Sequence, residues 1–342
     1  MSRNVNNTGA IMARIQKGWK PKRYLTNMSM AFFAADNDHV AHKIFPMCPV
    51  DFSTGYYYIF EKGDLTRDNV QRKPEFGKAT PAKFGHTDAT YNCEVDQIIT
   101  GIDQIGAQNY LRANVPASID PRRSKVRFVT EQQLLHLDIL FAQNFFQKGV
   151  WANEYTGTDG SASGKQFLKF SNANFDPVHF FDERKREIKL EGRRIPNKLS
   201  LGYDSYVALK SHPDILERVK YGGSTPNPAL VNTNVLAQIL EFEEVQVLEA
   251  TYNAAEEGQP DDMRFICDSK GALLTYTTKN PQLDEPTAGY IFTWDMLGDG
   301  NYMAIDQFEG EAGTHSEFVE GLMACDMRKT CDELACYMGD CV

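Results

Sequence analysis

The chain has no apolar run of membrane-spanning length; Met28 to Ala35 is the nearest and is far too short. Its first residues lack the apolar centre of a secretory signal, so the expectation is a protein that stays in the compartment where it is made. A positive balance is missing too. Lys and Arg number 36 against 46 Asp and Glu, a formal net charge of -10. That argues against a strongly basic reader of nucleic acid, because phosphate binding is driven by clustered Lys and Arg. No C-x-x-C pair occurs, and no paired histidines stand near Cys325, Cys331, Cys336 and Cys341, so a zinc knuckle is not expected there. No internal repeat is visible. What is present is a globular composition, 42% hydrophobic and 24% charged, over 342 residues, enough for two or three ordinary domains.

The stretch Asp120 to Gly149 organises the rest. Asp before Pro121 is a helix opening, since the carboxylate can accept orphan amide hydrogens and proline has no N–H to waste. Gly149 after Lys148 is a helix ending. Between them Val126, Val129, Leu134, Leu137, Phe141 and Phe145 form one stripe. Thr130-Glu131-Gln132-Gln133 offers a second start, so the helix either runs through or begins again there.

Before this beam, residues 1–35 hold Arg3, Arg14, Lys17, Lys20, Lys22 and Arg23 and no acid until Asp36. Such an arm either docks on a neighbouring copy or on phosphates, or is a solvated terminus. Phe45-Pro46-Met47-Cys48-Pro49-Val50 predicts an extended edge or crossing strap, because two prolines deny ladder donors. Tyr56–Phe60 reads as a strand and Tyr91–Ile98 as its return, a long hairpin that needs a partner in the same chain or another.

After the beam, Asp176-Pro177 opens a helix that closes at Gly192, with Val178, Phe181 and Ile188 inward and Glu183 to Glu187 outward. Beyond Pro196, helices at Tyr203–Leu209, Asp214–Val219 and Val235–Phe242 alternate with strands at Val245–Tyr252, Arg264–Cys267, Leu273–Thr277 and Tyr290–Trp294. Together these predict an α+β chain with a mixed α/β unit toward its end.

The search for chemistry yields little. Gly157-Thr158-Asp159-Gly160-Ser161-Ala162-Ser163-Gly164-Lys165-Gln166 lacks the glycine spacing and the hydroxyl of a phosphate loop. It lacks the central serine of a hydrolase elbow as well. His39 and His42 beside Asp36 and Asp38 share one helical face but have no third element, which leaves a polar turn. No catalytic, cofactor-binding or metal site is assigned. Cys48, Cys93 and Cys267 read as reduced core residues. Cys325, Cys331, Cys336 and Cys341 crowd the end, either reduced or in disulfides between subunits.

An ordered series of short motifs carries a resemblance. Val40-Ala41-His42-Lys43-Ile44-Phe45-Pro46 leads to Cys48-Pro49-Val50, Gly55-Tyr56-Tyr57-Tyr58 and Glu61-Lys62-Gly63-Asp64. Ile195-Pro196-Asn197-Lys198-Leu199-Ser200-Leu201-Gly202 then precedes Leu209-Lys210-Ser211-His212-Pro213. Glu244-Val245-Gln246-Val247 with Thr251-Tyr252-Asn253, and Ala288-Gly289-Tyr290-Ile291-Phe292-Thr293-Trp294, complete it. Nearly the whole chain resembles tailed-bacteriophage major capsid proteins, a fold shared with encapsulins.

The resemblance implies an N-arm and strap over 1–52 and an extended β-hairpin loop over 53–99. It implies a peripheral domain over 100–195 and 301–342 with a spine helix at 120–148, and an axial domain over 196–300. The subunit-interface residues would be Arg14, Lys17, Lys20, Lys22 and Arg23 in the arm and Lys62, Asp64, Arg67, Arg72, Lys73 and Phe76 in the loop. The implied role is a structural one without cofactors: pentamers and hexamers closing a shell around double-stranded DNA in the virion, assembled in the host cytoplasm. Partners would be the chain itself, a portal, and separate scaffold or decoration proteins, with no membrane. Some relatives crosslink a loop lysine to an asparagine; Lys62, Lys73, Lys78 and Lys83 are available, but nothing identifies a partner. The alternatives are an encapsulin-like cargo shell and, further off, a cytosolic enzyme using the Gly157–Lys165 loop.

Overall fold

The computed structural model describes residues 23–35, 38–60, 86–103, 121–222, 231–282, 285–296, 303–311 and 315–342, with isolated positions between 68 and 77 and at 105, 108 and 313. In chain order the described elements begin α1 (Arg23–Ala35), α2 (Ala41–Ile44), β1 (Met47–Val50), β2 (Thr54–Phe60), β3 (His86–Asn92), β4 (Glu94–Asp103) and α3 (Pro121–Asn144). Next come β5 (Glu154–Thr158), β6 (Gln166–Leu168), α4 (Pro177–Gly192), β7 (Lys198–Gly202), α5 (Tyr203–Lys210), α6 (Pro213–Gly222) and α7 (Thr233–Ile239). The chain closes with β8 (Glu244–Leu248), β9 (Thr251–Asn253), β10 (Met263–Phe265), β11 (Ala272–Thr275), β12 (Gly289–Trp294), β13 (Met303–Glu309), β14 (Ser316–Lys329) and β15 (Ala335–Gly339).

The expected beam is α3, 24 residues and roughly 36 Å long at 1.5 Å per residue. It runs through Thr130 without restarting. That hydroxyl donates to the Val126 carbonyl at 2.8 Å and pairs with Ser29 Oγ at 2.7 Å, so it does not cap a new turn. The helix stops at Asn144, short of the expected Lys148. Phe145 and Phe146 both donate to the Phe141 carbonyl, and their rings turn into the core. Trp151 Nε1 then donates to the Phe145 carbonyl at 2.8 Å. Gly149 lies beyond the helix at φ +86, where its N–H meets Glu154 Oε1.

The chain forms two larger sheets, and α3 packs on the first of them through β4 and β14. One has the order β1-β12-β14-β13, with β4 also paired to β14. The other is mixed, in the order β6-β5-β15-β11-β7-β8. The proline-bearing strap is β1, parallel to β12 at the sheet's edge, where Pro49 costs no interior ladder bond. Strand β12 shows the period of two. Tyr290, Phe292 and Trp294 enter one apolar cluster, while Ile291 enters another on the opposite face.

Several expected boundaries move. Tyr91–Ile98 is not one strand. It breaks at Cys93, whose N–H donates to Ser53 O and whose Sγ donates to Phe292 O at 3.6 Å. Strand β3 then pairs with β2, and β4 pairs with β14. Val235–Phe242 ends early at Ile239 because Glu241 takes a left-handed turn at φ 54 and drops Phe242 onto Phe181. Val245–Tyr252 divides into β8 and β9, and the strand expected at Arg264–Cys267 is Met263–Phe265. On α4, Asp176 caps as expected, its carboxylate accepting from Val178 and His179. Arg184, expected outside, is buried with its guanidinium 4.1 Å from the centre of the Tyr155 ring.

Sheet membership also cuts across the expected domain limits. β15, from the stretch assigned to the peripheral domain, lies between β5 and β11. β12, from the axial stretch, lies beside β14.

Candidate functional site

The β2–β3 hairpin pairs Thr54 with Asn92 through to Phe60 with His86, and among the described residues it pairs with no third strand. Its inward face carries Tyr57 and Tyr91, whose rings sit 5.2 and 4.8 Å from the Phe292 ring. Gly55 is fixed by this seating, because a Cβ there would lie 2.5 Å from the Tyr91 hydroxyl. Burial pushes the Tyr57 and Tyr91 hydroxyls above their usual range. Asn92 N–H donates to Asp326 Oδ2 at 2.8 Å, and Trp294 Nε1 to Asp51 O at 3.1 Å, which pins the foot of the hairpin.

The outward face is different. Tyr56 is 72% exposed and Phe52 75%. Farther along, Val70 and Phe76 stand almost fully in solvent, Phe76 with φ 61. Tyr56 lies on the ribbon itself, Phe52 just before it, and Val70 and Phe76 in the stretch between its two strands; exposed large apolar side chains of this kind are candidates for an interaction surface.

Of the residues named from the sequence, Arg72, Lys73 and Phe76 are exposed on this loop. Arg23 is the first residue of α1, with only its backbone described. Arg14, Lys17, Lys20, Lys22, Lys62, Asp64 and Arg67 lie outside the described residues, as do Lys78 and Lys83. The described part of the arm does not reach away. α1 packs Leu25 against Val126, Val129 and Ile305, and Thr26 Oγ1 accepts from Ile305 N at 3.2 Å.

The chemistry weighed from the sequence finds other uses in the fold. His39 Nδ1 lies 2.9 Å from Asp138 Oδ2, and Asp138 Oδ1 accepts the Ala41 N–H at 3.0 Å. The polar turn before the strap is thus tied to α3. An acid among Leu134, Leu137 and Phe141 on a buried stripe was the signal that could have revealed it. Among the described residues no group of three His, Cys, Asp or Glu is placed to hold a metal. Lys165 Nζ donates to Ala152 O at 2.9 Å, so the glycine-rich loop ties down its own chain. All seven cysteines are buried and unpaired with one another. Burial pushes Cys48 up to about 11 and Cys93, Cys331 and Cys336 up to about 12. The terminal four, sealed inside their own subunit, are poorly placed for disulfides to a neighbour.

A cleft of about 1220 Å³ separates α3 from the β9–β10 ribbon, with Glu131, Leu135, Tyr203 and Phe265 among its walls. Tyr203 stacks on Phe265, and Glu131 holds Arg127 at 2.8 Å. No helix among the described residues is long and apolar enough to cross a membrane.

No protein-family model matches the chain. A curated relative, the major capsid protein of Burkholderia phage BcepMu, is 34% identical over 84 residues, 25% of this chain and 26% of that protein. The match therefore spans about a quarter of the relative's length. Among solved structures, a phage-related protein from Bordetella bronchiseptica superposes with a TM-score of 0.71 over 94% of this chain and 97% of its own, at 19% identity. A proposed prophage capsid protein from E. coli gives 0.52 at 12% identity over 94% and 99%. An encapsulin complex from Synechococcus elongatus gives 0.50 at 10% identity over 89% and 88%. The resemblance read from the ordered motifs is borne out, and the chain has the capsid fold that tailed-phage capsid proteins share with encapsulins.

Proposed function

We propose that this chain is a shell-forming structural protein of a double-stranded DNA phage or prophage, not an enzyme, and that it works by associating with copies of itself. The observation that carries the reading is the β2–β3 hairpin, seated by one face on its own Phe292 and offering the other, with Tyr56 and Tyr58, to solvent. A lone two-stranded ribbon with exposed aromatics gains stability when a neighbour covers it. Many such contacts, each weak, add up once a shell closes. In this reading pentamers and hexamers form the icosahedral head of the virion, assembled in the host cytoplasm. The hairpin lies over an adjacent subunit, residues 196–300 supply most of the axial packing, and α3 is the spine of the peripheral part. The net charge of -10 limits adhesion to the packaged DNA. Portal, scaffold and decoration proteins would be its other partners.

The test is expression of the full chain followed by size-exclusion chromatography and negative-stain imaging. Closed particles are expected, and deletion of residues 64–85 should leave a folded subunit that no longer closes them. Normal particles from that deletion would remove residues 64–85 from the interface, and normal particles from Tyr56→Asp would remove the hairpin's outward face from it. The same particles distinguish a second reading, an encapsulin-like compartment, favoured by the encapsulin superposition. Protein cargo bound inside in place of nucleic acid would favour it. An enzyme using the Gly157–Lys165 loop would lose its activity with Lys165→Ala, whereas a shell protein should form particles unchanged.

A further inference from the structure

Beneath α3, around Gln132, Gln133 and His136, lies a cavity of about 290 Å³, between the helix and the paired strands β4 and β14. Its walls include Gln97, Ile98, Gln133, His136 and Met323. Gln133 is 4% exposed, and neither its Oε1 nor its Nε2 meets a protein hydrogen-bond partner. A primary amide carries two donors and a two-lone-pair acceptor. Left without partners in a dry interior it would cost about 1–3 kcal/mol.

The helix cannot relieve this by settling onto the sheet. Gly321 of β14 faces it so closely that a Cβ there would stand 2.2 Å from Val129 Cγ1 and 3.0 Å from Gln133 Nε2. The side chains of Val129 and Gln133 already fill the space above Gly321. Neighbouring polar groups are engaged with each other: Gln97 Nε2 donates to the fully buried Glu320, and His136 Nε2 lies 3.2 Å from Asp96 Oδ2 at the mouth. The space is roomy, carries the Gln133 amide on its wall and opens to the surface beside the His136–Asp96 pair.

We propose that this cavity is an internal hydration site, in which ordered water bridges the Gln133 amide to the β4 side of the seam. A water share of liquid volume is about 30 Å³, so the space admits several, and each needs two to four polar partners, which Gln133, Gln97, His136 and Asp96 provide. The ligand class is water: neutral, small, and both donor and acceptor. Around Gln133, α3 therefore rests on its sheet through a wet seam.

The sign of one substitution separates a wet site from a dry one. Gln133→Met keeps length and approximate volume and removes the amide. If water satisfies the amide, the variant gains nothing and its melting temperature stays equal to or falls slightly below that of the parent. If the amide is dry and unpaired, the variant melts higher by several degrees, which overturns the proposal. Leu134→Ala, one residue along, is the control that must melt lower for the assay to be sensitive. A density map of the unmodified full chain at 2 Å or better, alone or in particles, gives the direct reading. Water peaks within about 2.7–3.2 Å of Oε1 and Nε2 support the proposal. An empty space, or the side chain of a second copy filling it, sinks it.

Discussion

The two halves of α3 are held in different ways. The C-terminal half is gripped by rings: Phe141 and Phe145 pack on Phe45 at 5.9 and 4.4 Å between centroids, and Trp151 stacks on Phe145 at 6.1 Å. The N-terminal half meets α1 and the β4–β14 seam through Val126 and Val129, but also through Thr130 and Gln133, all four buried. Burying an aromatic ring contributes about 1.5–3 kcal/mol, whereas a net hydrogen bond contributes about 0.5–1.5 kcal/mol. Stability is therefore concentrated at the ring end. The other end is held by the smaller cluster of Val126 and Val129 with Leu25, Ile305 and Val319, and by the Thr130–Ser29 hydrogen bond. Between them stands Asp138, the buried acid that ties α3 to the chain before the strap.

Truncation at the ring end should have the largest effect. Phe141→Ala removes a fully buried ring and should cost about 3–5 kcal/mol in chemical denaturation of the subunit. Val129→Ala at the polar end deletes less and should cost less. Equal losses would mean that the two halves share the load and would break the comparison. Asp138→Ala comes next, at about 1–3 kcal/mol, because it leaves the Ala41 N–H and His39 without their acceptor in a buried place. Asp138→Asn should recover part of that loss, since an amide oxygen can still accept from Ala41. No recovery would show that the carboxylate's charge matters more than its geometry.

The two ends were not equally legible in the sequence. The apolar stripe Val126, Val129, Leu134, Leu137, Phe141, Phe145 predicts α3, and every member is buried. Local capping chemistry predicts α4 from Asp176-Pro177, and the paired prolines predict the edge position of β1. What periodicity could not supply was long-range pairing. Nothing near Tyr91–Ile98 says that Cys93 will turn inward and divide it, because its partners Ser53 and Phe292 lie far off in the chain. The place of β15 between β5 and β11 is invisible for the same reason. At the candidate site, the exposed aromatics of the hairpin could be read from composition. The roles of Asp138 and Gln133 depend on what faces them, which only the fold decides.

The smallest effect concerns the cysteines, and it extends the comparison from α3 to the two apolar clusters beyond it. Cys48 lies in the cluster under the hairpin foot and Cys336 in the central core, with thiols pushed up by burial to about 11 and about 12 from an ordinary value of 9.0. These folded-state values are raised, so below pH 9 both folded and unfolded chains keep neutral thiols and the contribution to stability is whole. Above it the unfolded chain ionises first, and stability falls as pH rises from 9 toward 12. The buried tyrosines, including Tyr57 and Tyr91, shift in the same direction and steepen the fall. Cys48 stands on the edge strand β1, whereas Cys336 stands on β15 in the interior of the six-stranded sheet. Brief alkylation of the native protein near pH 9, read by peptide mass spectrometry, should therefore mark Cys48 before Cys336. Equal labelling would mean that the six-stranded sheet opens as readily as the hairpin foot, and the core would not be the firmer of the two.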